Sequence, residues 1–370
     1  MQGSHQERGR HRCPTGHLFL LIPAIFFAVA AGLVRAVGAQ SSEGRSDDAL
    51  VVVNSRLGDL RYTPGRGLRL GRTGFTIGGY SNVNLSRQEG QPAQLKFDDL
   101  SFFVSWDPIP RLHLFSELEF EDLLFIDEHG HGGTVDNLFT AERLYGDVSF
   151  ADALNMRVGK FLTPVGRWNV IHAQPLVWTT SRPLATVLPF DPHTTGAMLF
   201  GSVFPGKGWL SYSLYGQFTD QFEQVVEPQP ADRSAGGRLE YSRDDWSAGT
   251  SYLAFSHAGN WRHLGGIDGL WQHDPMEVMT EWVVEPAAGS RGTEWGFYVQ
   301  GVYQVYPHWY LVGRYEHFVA GAQQRAVNLI DPGIAYKPLP YVVIKAEYLF
   351  ADRHSTESPP GFASSVALLF

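Results

Sequence analysis

The sequence predicts an all-β fold, a transmembrane antiparallel up-and-down β-barrel of about 16 strands with short periplasmic turns and long outer loops. Three observations predict it. Strand-length segments alternate apolar and polar residues, and the connections between them alternate between short and long. The chain also has 40 Gly, 24 Phe, 15 Tyr and 10 Trp, a composition typical of many short strands joined by turns.

The N-terminus has the pattern of a secretory signal peptide. Three arginines at positions 8, 10 and 12 precede an apolar run over residues 18–34, and small residues stand at Val37 and Ala39. This order predicts a signal peptide at residues 1–39. The alternative is a retained N-terminal anchor, because the run is close to the length that spans a bilayer. No comparable run follows, so a membrane would be crossed by strands.

Charge and cysteine content describe the exported chain. Removing residues 1–39 takes away four Arg, one Glu and the one cysteine, Cys13, and leaves 25 basic against 37 acidic residues. An acidic chain argues against nucleic acid as a partner. Residues 40–72 then form a periplasmic leader or a plug, and residues 73–370 form the barrel.

Sixteen segments of strand length follow one another in the barrel region, although 14 or 18 strands fit the pattern almost as well. The predicted strands cover residues 73–84, 95–106, 111–125, 138–149, 154–162, 194–204, 209–219, 234–243, 246–256, 264–273, 276–286, 294–305, 309–319, 325–337, 340–350 and 361–370.

Loop length alternates strictly along the chain. Every second connection is short, at 107–110, 151–153, 205–208, 244–245, 274–275, 306–308 and 338–339. The others, which include 85–94, 126–137, 163–193, 220–233, 287–293 and 351–360, are longer. Bacterial barrels have this arrangement, whereas a soluble β-sandwich has no reason to sort its loops by length.

The last strand ends in an aromatic residue, Phe370, with Leu368, Val366 and Phe362 on the same face. This resembles the C-terminal signature of bacterial outer-membrane barrels, and the resemblance implies recognition by the barrel-assembly machinery. Rings near strand ends predict girdles against outer-membrane lipid. They are Trp106, Tyr145, Trp209, Trp246, Trp271, Trp282, Trp295, Tyr306, Trp309 and Tyr336.

Alternation also assigns side chains to the inside of the barrel. In 111–121, the glutamates at 117, 119 and 121 share one face, which would be costly in a dry core and predicts a wet lumen. A register error of one residue would reverse any strand. The predicted pore-lining residues are Glu117, Glu119, Glu121, Arg143, Asp147, Arg157, Arg238, Glu240, Arg314, Glu316, Lys345 and Glu347.

The run from Arg157 to Gly166, RVGKFLTPVG, resembles the phosphate-selective porin O and P family. The resemblance implies a sixteen-stranded, homotrimeric pore in the bacterial outer membrane. In that family phosphate selectivity depends on ladders of Arg and Lys, and the inner face predicted here is mainly acidic. Because acidic rings favour cations, the sequence does not predict phosphate selectivity.

The longest connection, 163–193, is the third outer loop, and in general porins the third loop narrows the barrel. A long loop rich in aromatic residues is usually functional. We therefore predict a constriction, with an outer lid or an intersubunit latch as the alternatives. Its candidate residues are Arg167, Trp168, Asn169, His172, Arg182 and Asp191.

No catalytic motif or cofactor site is predicted. His129 and His131 lie in a Gly-rich loop where weak metal capture competes with simple solvation, and neighbouring Ser256 and His257 point to opposite strand faces. The sequence therefore predicts a porin for passive diffusion of small hydrophilic solutes or ions. The alternatives are a non-conducting adhesin or scaffold and, less favoured, an outer-membrane hydrolase.

Overall fold

The computed structural model describes residues 51–56, 58–134, 139–171, 173–187, 189–218, 231–257, 259–287, 292–321, 325–353 and 359–370. The predicted signal peptide, residues 1–39, lies outside them. Among the helices that the structure describes, none is long and apolar enough to cross a membrane.

Sixteen antiparallel strands form a closed barrel, and the last strand pairs with the first. The predicted strand count is therefore confirmed. The barrel strands are β4 (Phe75–Gln88), β5 (Gln94–Ile109), β6 (Leu112–Asp127), β8 (Phe139–Ala151), β9 (Leu154–Leu162), β10 (His193–Val203), β11 (Trp209–Gln217), β12 (Arg233–Arg243), β13 (Trp246–His257), β14 (Asn260–His273), β15 (Met276–Glu285), β16 (Glu294–Tyr306), β17 (Trp309–Val319), β18 (Ala326–Leu339), β19 (Val342–Ala351) and β20 (Gly361–Leu369).

A few short elements lie outside the barrel wall. Strands β1 (Val51–Ser55), β2 (Gly58–Thr63) and β3 (Gly67–Leu70) precede it, and β7 (Gly132–Gly133) pairs with β6. Two four-residue helices, α1 (Trp168–Ile171) and α2 (Leu184–Val187), lie in the long connection between β9 and β10.

Residues alternate between the two faces of the wall, as the sequence predicts. On β19, Val343, Lys345 and Glu347 are almost fully buried, whereas Tyr348 and Phe350 are about half exposed on the outer face. Period-two alternation places apolar side chains against lipid and polar ones inside. The alternation of polar and apolar residues therefore predicts which side chains face inward.

The seven short turns all join strands at the same end of the barrel. Three of them contain a non-glycine residue in the left-handed region, Arg111, Asp244 and His308. At the opposite end two strand boundaries differ from the prediction by four residues: β4 ends at Gln88 instead of 84, and β14 begins at Asn260 instead of 264. Asn260 pairs with His257 across a tight turn through Gly259, whose φ is +76°, and the polar residues at this strand end resembled a loop.

The residues before the barrel form a small sheet joined to it. β1 pairs with β2, β2 with β3, and β3 with the start of β4 through Leu68–Ile77 and Arg69–Thr76. The turn after β2 lies against Tyr341, where a Cβ on Gly65 would come within 2.7 Å of the Tyr341 Cβ. The leader predicted at 40–72 is thus part of the sheet from residue 51 onward.

The aromatic prediction needs one correction. Trp209, Trp246 and Trp271 have exposed rings on the outer wall, but Tyr145 faces inward, where the Arg157 guanidinium lies 3.6 Å from its ring centroid. The cause is strand register: Tyr145 pairs with Phe115, which is itself on the inner face.

Candidate functional site

The long connection after β9, residues 163–192, enters the barrel and binds its inner wall. The Gly166 N–H donates to Ser251 Oγ at 3.2 Å and the Trp168 N–H to Glu281 Oε1 at 2.6 Å. Buried backbone N–H groups require partners, and here side chains of β13 and β15 supply the acceptors.

The middle of this loop is held by wall carboxylates. The Glu347 side chain accepts from the N–H groups of Thr180 and Ser181, at 2.8 and 2.7 Å. Glu316 accepts from the Leu184 N–H at 2.8 Å, at the start of α2. Charged acceptors form stronger hydrogen bonds than neutral ones, so two strands, β17 and β19, fix the loop across the lumen.

A fully buried arginine stands at the centre of these contacts. Arg314 on β17 pairs with Glu316 at 2.7 Å and with Asp331 of β18 at 3.0 Å. The same guanidinium donates to Ser181 O at 3.0 Å. Its delocalised charge and several donors suit it to bridge two carboxylates and a backbone carbonyl.

Lys345 provides a second basic contact between β19 and the loop. Its ammonium donates to Gln174 O, Gln174 Oε1 and Thr179 O, at 3.0, 2.6 and 2.9 Å. All three donors of the ammonium are therefore used. Glu347 and Lys345, two positions apart on one strand face, bind opposite polarities of the loop backbone.

The predicted constriction residues have several distinct positions in this loop. The Arg167 guanidinium lies 3.2 Å from Glu240 and 3.6 Å from Asp268, and Trp168 is buried edge-on against Tyr298. The Arg167 side chain therefore pairs directly with acidic residues of the wall. His172 lies outside the described residues.

Two of the remaining candidates join parts of the loop to each other, and the third joins its end to a neighbouring connection. Asn169 donates to Thr163 O at 2.8 Å and to Pro192 O at 3.0 Å, so it joins the two ends of the loop. Arg182 donates to Asn169 Oδ1 at 2.7 Å and to Thr186 O at 2.9 Å. Asp191 accepts from the N–H groups of His193 and Ala231, at 2.9 and 3.2 Å.

The other predicted lining residues lie on the inner wall as charge pairs. Arg143 of β8 binds Glu117 of β6, and Arg157 of β9 binds both oxygens of Asp147 at 2.8 Å. Arg238 of β12 contacts Glu240 at 2.7 Å and also binds Asp268. Glu119 accepts from Tyr80 and Ser101, at 2.7 and 2.8 Å, and Glu121 is exposed.

Two open spaces remain beside the loop. One of 440 Å³ is lined by Arg143, Arg157 and Arg238 together with the loop residues Pro164 and Val170. The other, of 620 Å³, lies between Trp178 and the turn at 274–275. In the first, the Arg143 side chain is 22% exposed and its partner Glu117 only 1%. In this pair the Arg143 side chain therefore covers the Glu117 carboxylate.

Several residues of the site were missed by sequence reasoning. Asp331 follows the outward-facing Ile330 in the predicted strand 325–337 and is fully buried, so strand alternation alone would have found it. No pattern pointed to Gln174, Thr179 or Ser181, because their partners are distant in sequence.

The described residues contain no group of three metal-ligating side chains. His131 binds Asp127 at 3.0 Å, in the loop where metal capture was considered. At the Ser256–His257 pair, the Ser256 hydroxyl donates to Asp232 at 3.3 Å.

The fold is that of sixteen-stranded porins. OmpF of Salmonella typhi, solved with daunomycin, superposes with a TM-score of 0.60 over 80% of this chain and 97% of its own, at 11% identity. An anion-selective porin from Comamonas acidovorans gives 0.58 over 80% and 99%, at 13% identity. A mutant of the Rh. blastica porin gives 0.53 over 80% and 100%, at 12% identity.

Sequence comparison does not extend this result to a family. No protein-family profile matches the chain. An uncharacterized protein of Aquifex aeolicus (strain VF5) is 22% identical over an alignment of 364 positions that covers 81% of this chain and 80% of that protein. Membership of the phosphate-selective family, which the motif after Arg157 suggested, is not supported by these comparisons.

Proposed function

We propose that the protein is an outer-membrane porin through which small hydrophilic solutes diffuse, with the loop 163–192 as its constriction. The observation that carries this proposal is the attachment of the loop to the inner wall, where Glu316 and Glu347 bind its backbone. A closed barrel of 16 strands is wide enough for an aqueous channel, and a loop inside it reduces the free cross-section.

The paired charges support weak rather than strong ion selectivity. Arg143, Arg157 and Arg238 each bind a carboxylate, so these charges compensate one another, whereas an uncompensated ring of one sign selects ions. This pairing also gives no support to a phosphate-selective ladder.

The test is conductance of the purified protein in planar bilayers. We expect stable current steps, and larger steps from the double variant Glu316→Gln/Glu347→Gln, because the loop then loses its charged acceptors. Glu117→Gln is the matched control, since Glu117 binds Arg143 and does not contact the loop. No steps from a correctly folded barrel would favour an adhesin or scaffold instead.

A homotrimer and insertion through the barrel-assembly machinery are parts of the same proposal. They follow from the porin fold and from the aromatic C-terminus, Phe370. Crosslinking of the protein in outer membranes tests the trimer, and fractionation tests the location. A monomer in native membranes would reject the trimer without affecting the pore.

A further inference from the structure

The short sheet before the barrel is basic, although the chain as a whole is acidic. Residues 51–72, which we call the leader sheet, contain five arginines and one acidic residue, Asp59, whereas the chain has 29 basic and 38 acidic residues. All five arginine side chains are exposed. They are Arg56, Arg61, Arg66, Arg69 and Arg72.

These charges are largely unused within the protein. Among the described residues, the ion pair that involves them joins Arg61 to Asp59 at 4.0 Å, with both side chains about half exposed. Arg61 and Arg69 stand directly opposite each other on β2 and β3. Arg69 pairs with Thr76, which leads through Ser105 to the inward-facing Phe115, so Arg61 and Arg69 lie on the face that continues the inner wall, whereas the other three arginines lie in the turns.

The opposite face of the leader sheet is apolar and continues the outer wall of the barrel. Leu68 pairs with Ile77, which pairs with Val104, and directly paired residues share one face of a sheet. Tyr62 pairs with Leu68, and Leu60 with Leu70, so the apolar residues form one surface. Ile77 is 37% exposed on the outer wall.

The leader sheet lies at the end of the barrel where the short turns are. Next to it, Phe75 and Trp106 stack with ring centroids 4.8 Å apart, and Trp106 Nε1 donates to Thr73 O at 3.1 Å. Stacked aromatic rings at a strand end are typical of the membrane–water boundary. The leader sheet therefore adjoins that boundary on the side of the short turns.

We propose that the leader sheet binds anionic phospholipid of the inner leaflet, with its apolar face against the acyl boundary and the arginines of its turns, Arg56, Arg66 and Arg72, on lipid phosphates. Guanidinium groups bind phosphate through paired hydrogen bonds, and apolar surface beside basic residues is the composition of interfacial elements. A second copy of the chain fits less well, because it would present the same five arginines. The inference rests on the proposed membrane location.

Spin labelling tests this directly, because Cys13 is the one cysteine of the chain and can be replaced by Ser. Single cysteines are placed at Leu70 on the apolar face, at Val52 on the basic face, and at Leu214 on the outer barrel wall. The labelled proteins are reconstituted into vesicles of phosphatidylcholine alone or of equal parts phosphatidylcholine and phosphatidylglycerol. Accessibility to oxygen reports lipid, and accessibility to a water-soluble nickel complex reports water.

We expect the Leu70 label to become more accessible to oxygen and less accessible to the nickel complex when phosphatidylglycerol is present. High salt, which screens surface charge, should reverse both changes. The Val52 label should remain accessible to nickel. Replacing the turn arginines Arg56, Arg66 and Arg72 by Gln should remove the lipid dependence. Replacing Arg61 and Arg69, which lie on the face that continues the inner wall, should not.

Three results would contradict the proposal. A Leu70 label that stays in water in both vesicles, while the Leu214 label is in lipid, rejects lipid binding but leaves the barrel in the membrane. Spin–spin coupling between Leu70 labels identifies a second copy as the occupant. A Leu214 label in water rejects the membrane barrel itself, and with it the proposed function.

Discussion

Glu347 accepts a hydrogen bond of 2.7 Å from the backbone N–H of Ser181, so a charged side chain of β19 fixes the middle of a loop that begins on β9 and ends on β10. The interior of this barrel is organised by such contacts. They decide which parts of the lumen are filled and which stay open, and each of them can be removed singly.

Replacing Glu347 by Ala should release the middle of the loop without unfolding the barrel. Two backbone N–H groups lose a charged acceptor, and each buried donor left without a partner costs about 1–3 kcal/mol. In a Cys13→Ser background, a cysteine at Thr180 reports the release as faster modification by a small water-soluble thiol reagent, because Glu347 binds the N–H of this residue. Glu119→Ala is the control, because Glu119 binds Tyr80 and Ser101. Equal modification in both variants would contradict this role.

Asn169 should be more sensitive to truncation than an asparagine on the strand wall. Asn169→Ala leaves the carbonyls of Thr163 and Pro192 without their donor and removes an acceptor of Arg182. We expect the free energy of unfolding to fall by about 1–3 kcal/mol. Urea titration measures it, because folded and unfolded barrels migrate differently on gels. Asn155→Ala, which loses one bond of 3.3 Å to Phe200 O, should change stability less.

Both removal of Arg314 and its replacement by lysine should destabilise the protein, and removal should cost more. Arg314→Leu leaves Glu316 and Asp331 buried without a counter-charge, and breaking such a buried pair costs about 3–5 kcal/mol. Arg314→Lys keeps the charge but cannot reproduce the planar set of contacts, so an intermediate loss is expected. Urea unfolding of both variants checks the order, and a fully stable Leu variant would refute it.

Arg157 should influence ion selectivity. It lines the 440 Å³ space and covers Asp147, so Arg157→Gln exposes a negative charge to the lumen. The zero-current potential under a salt gradient should move toward cation preference. Lys207→Gln, in an exposed turn, removes the same charge outside the barrel and should leave the potential unchanged; a comparable shift there would assign the effect to net charge.

Phe370 should matter for assembly more than for the folded wall. Its backbone exchanges hydrogen bonds of 2.9 and 3.0 Å with Gly79 on β4, and its ring lies edge-on to Phe102. Phe370→Ala keeps the backbone bonds, so we expect less folded barrel in cells but unfolding in urea close to that of the native protein. A large stability loss with normal yield would contradict recognition of the aromatic end.

The barrel could be predicted from the sequence because strand alternation is visible within each short segment of the chain. Where a polar residue alternates with an apolar one along a strand, as Glu347 does with Tyr348, the two residue types indicate which side chain faces the lumen and which faces lipid. Strand ends were harder: Asn260 and Arg262 are polar yet paired, and nothing within a few residues distinguishes them from a loop.

The path of the loop could not be predicted in the same way. Its direction depends on pairs such as Ser181 with Asp331 and Lys345 with Gln174, which are far apart in the chain and follow no periodic pattern. The candidate residues near its ends, Asn169 and Asp191, were found for their chemistry. Their contacts became clear from the coordinates: Asn169 joins the two ends of the loop, and Asp191 binds the start of β10 and the connection before β12.

The attachment of the loop also has a mechanical meaning. A hollow cylinder of strands flattens easily, since only its circumference resists bending. Here a chord runs from β9 and β10 to β17 and β19 and is fixed at its far end by Arg314, Lys345 and Glu347. A cylinder with such an internal strut keeps a round cross-section under lateral pressure, so the open area should be insensitive to tension in the surrounding bilayer.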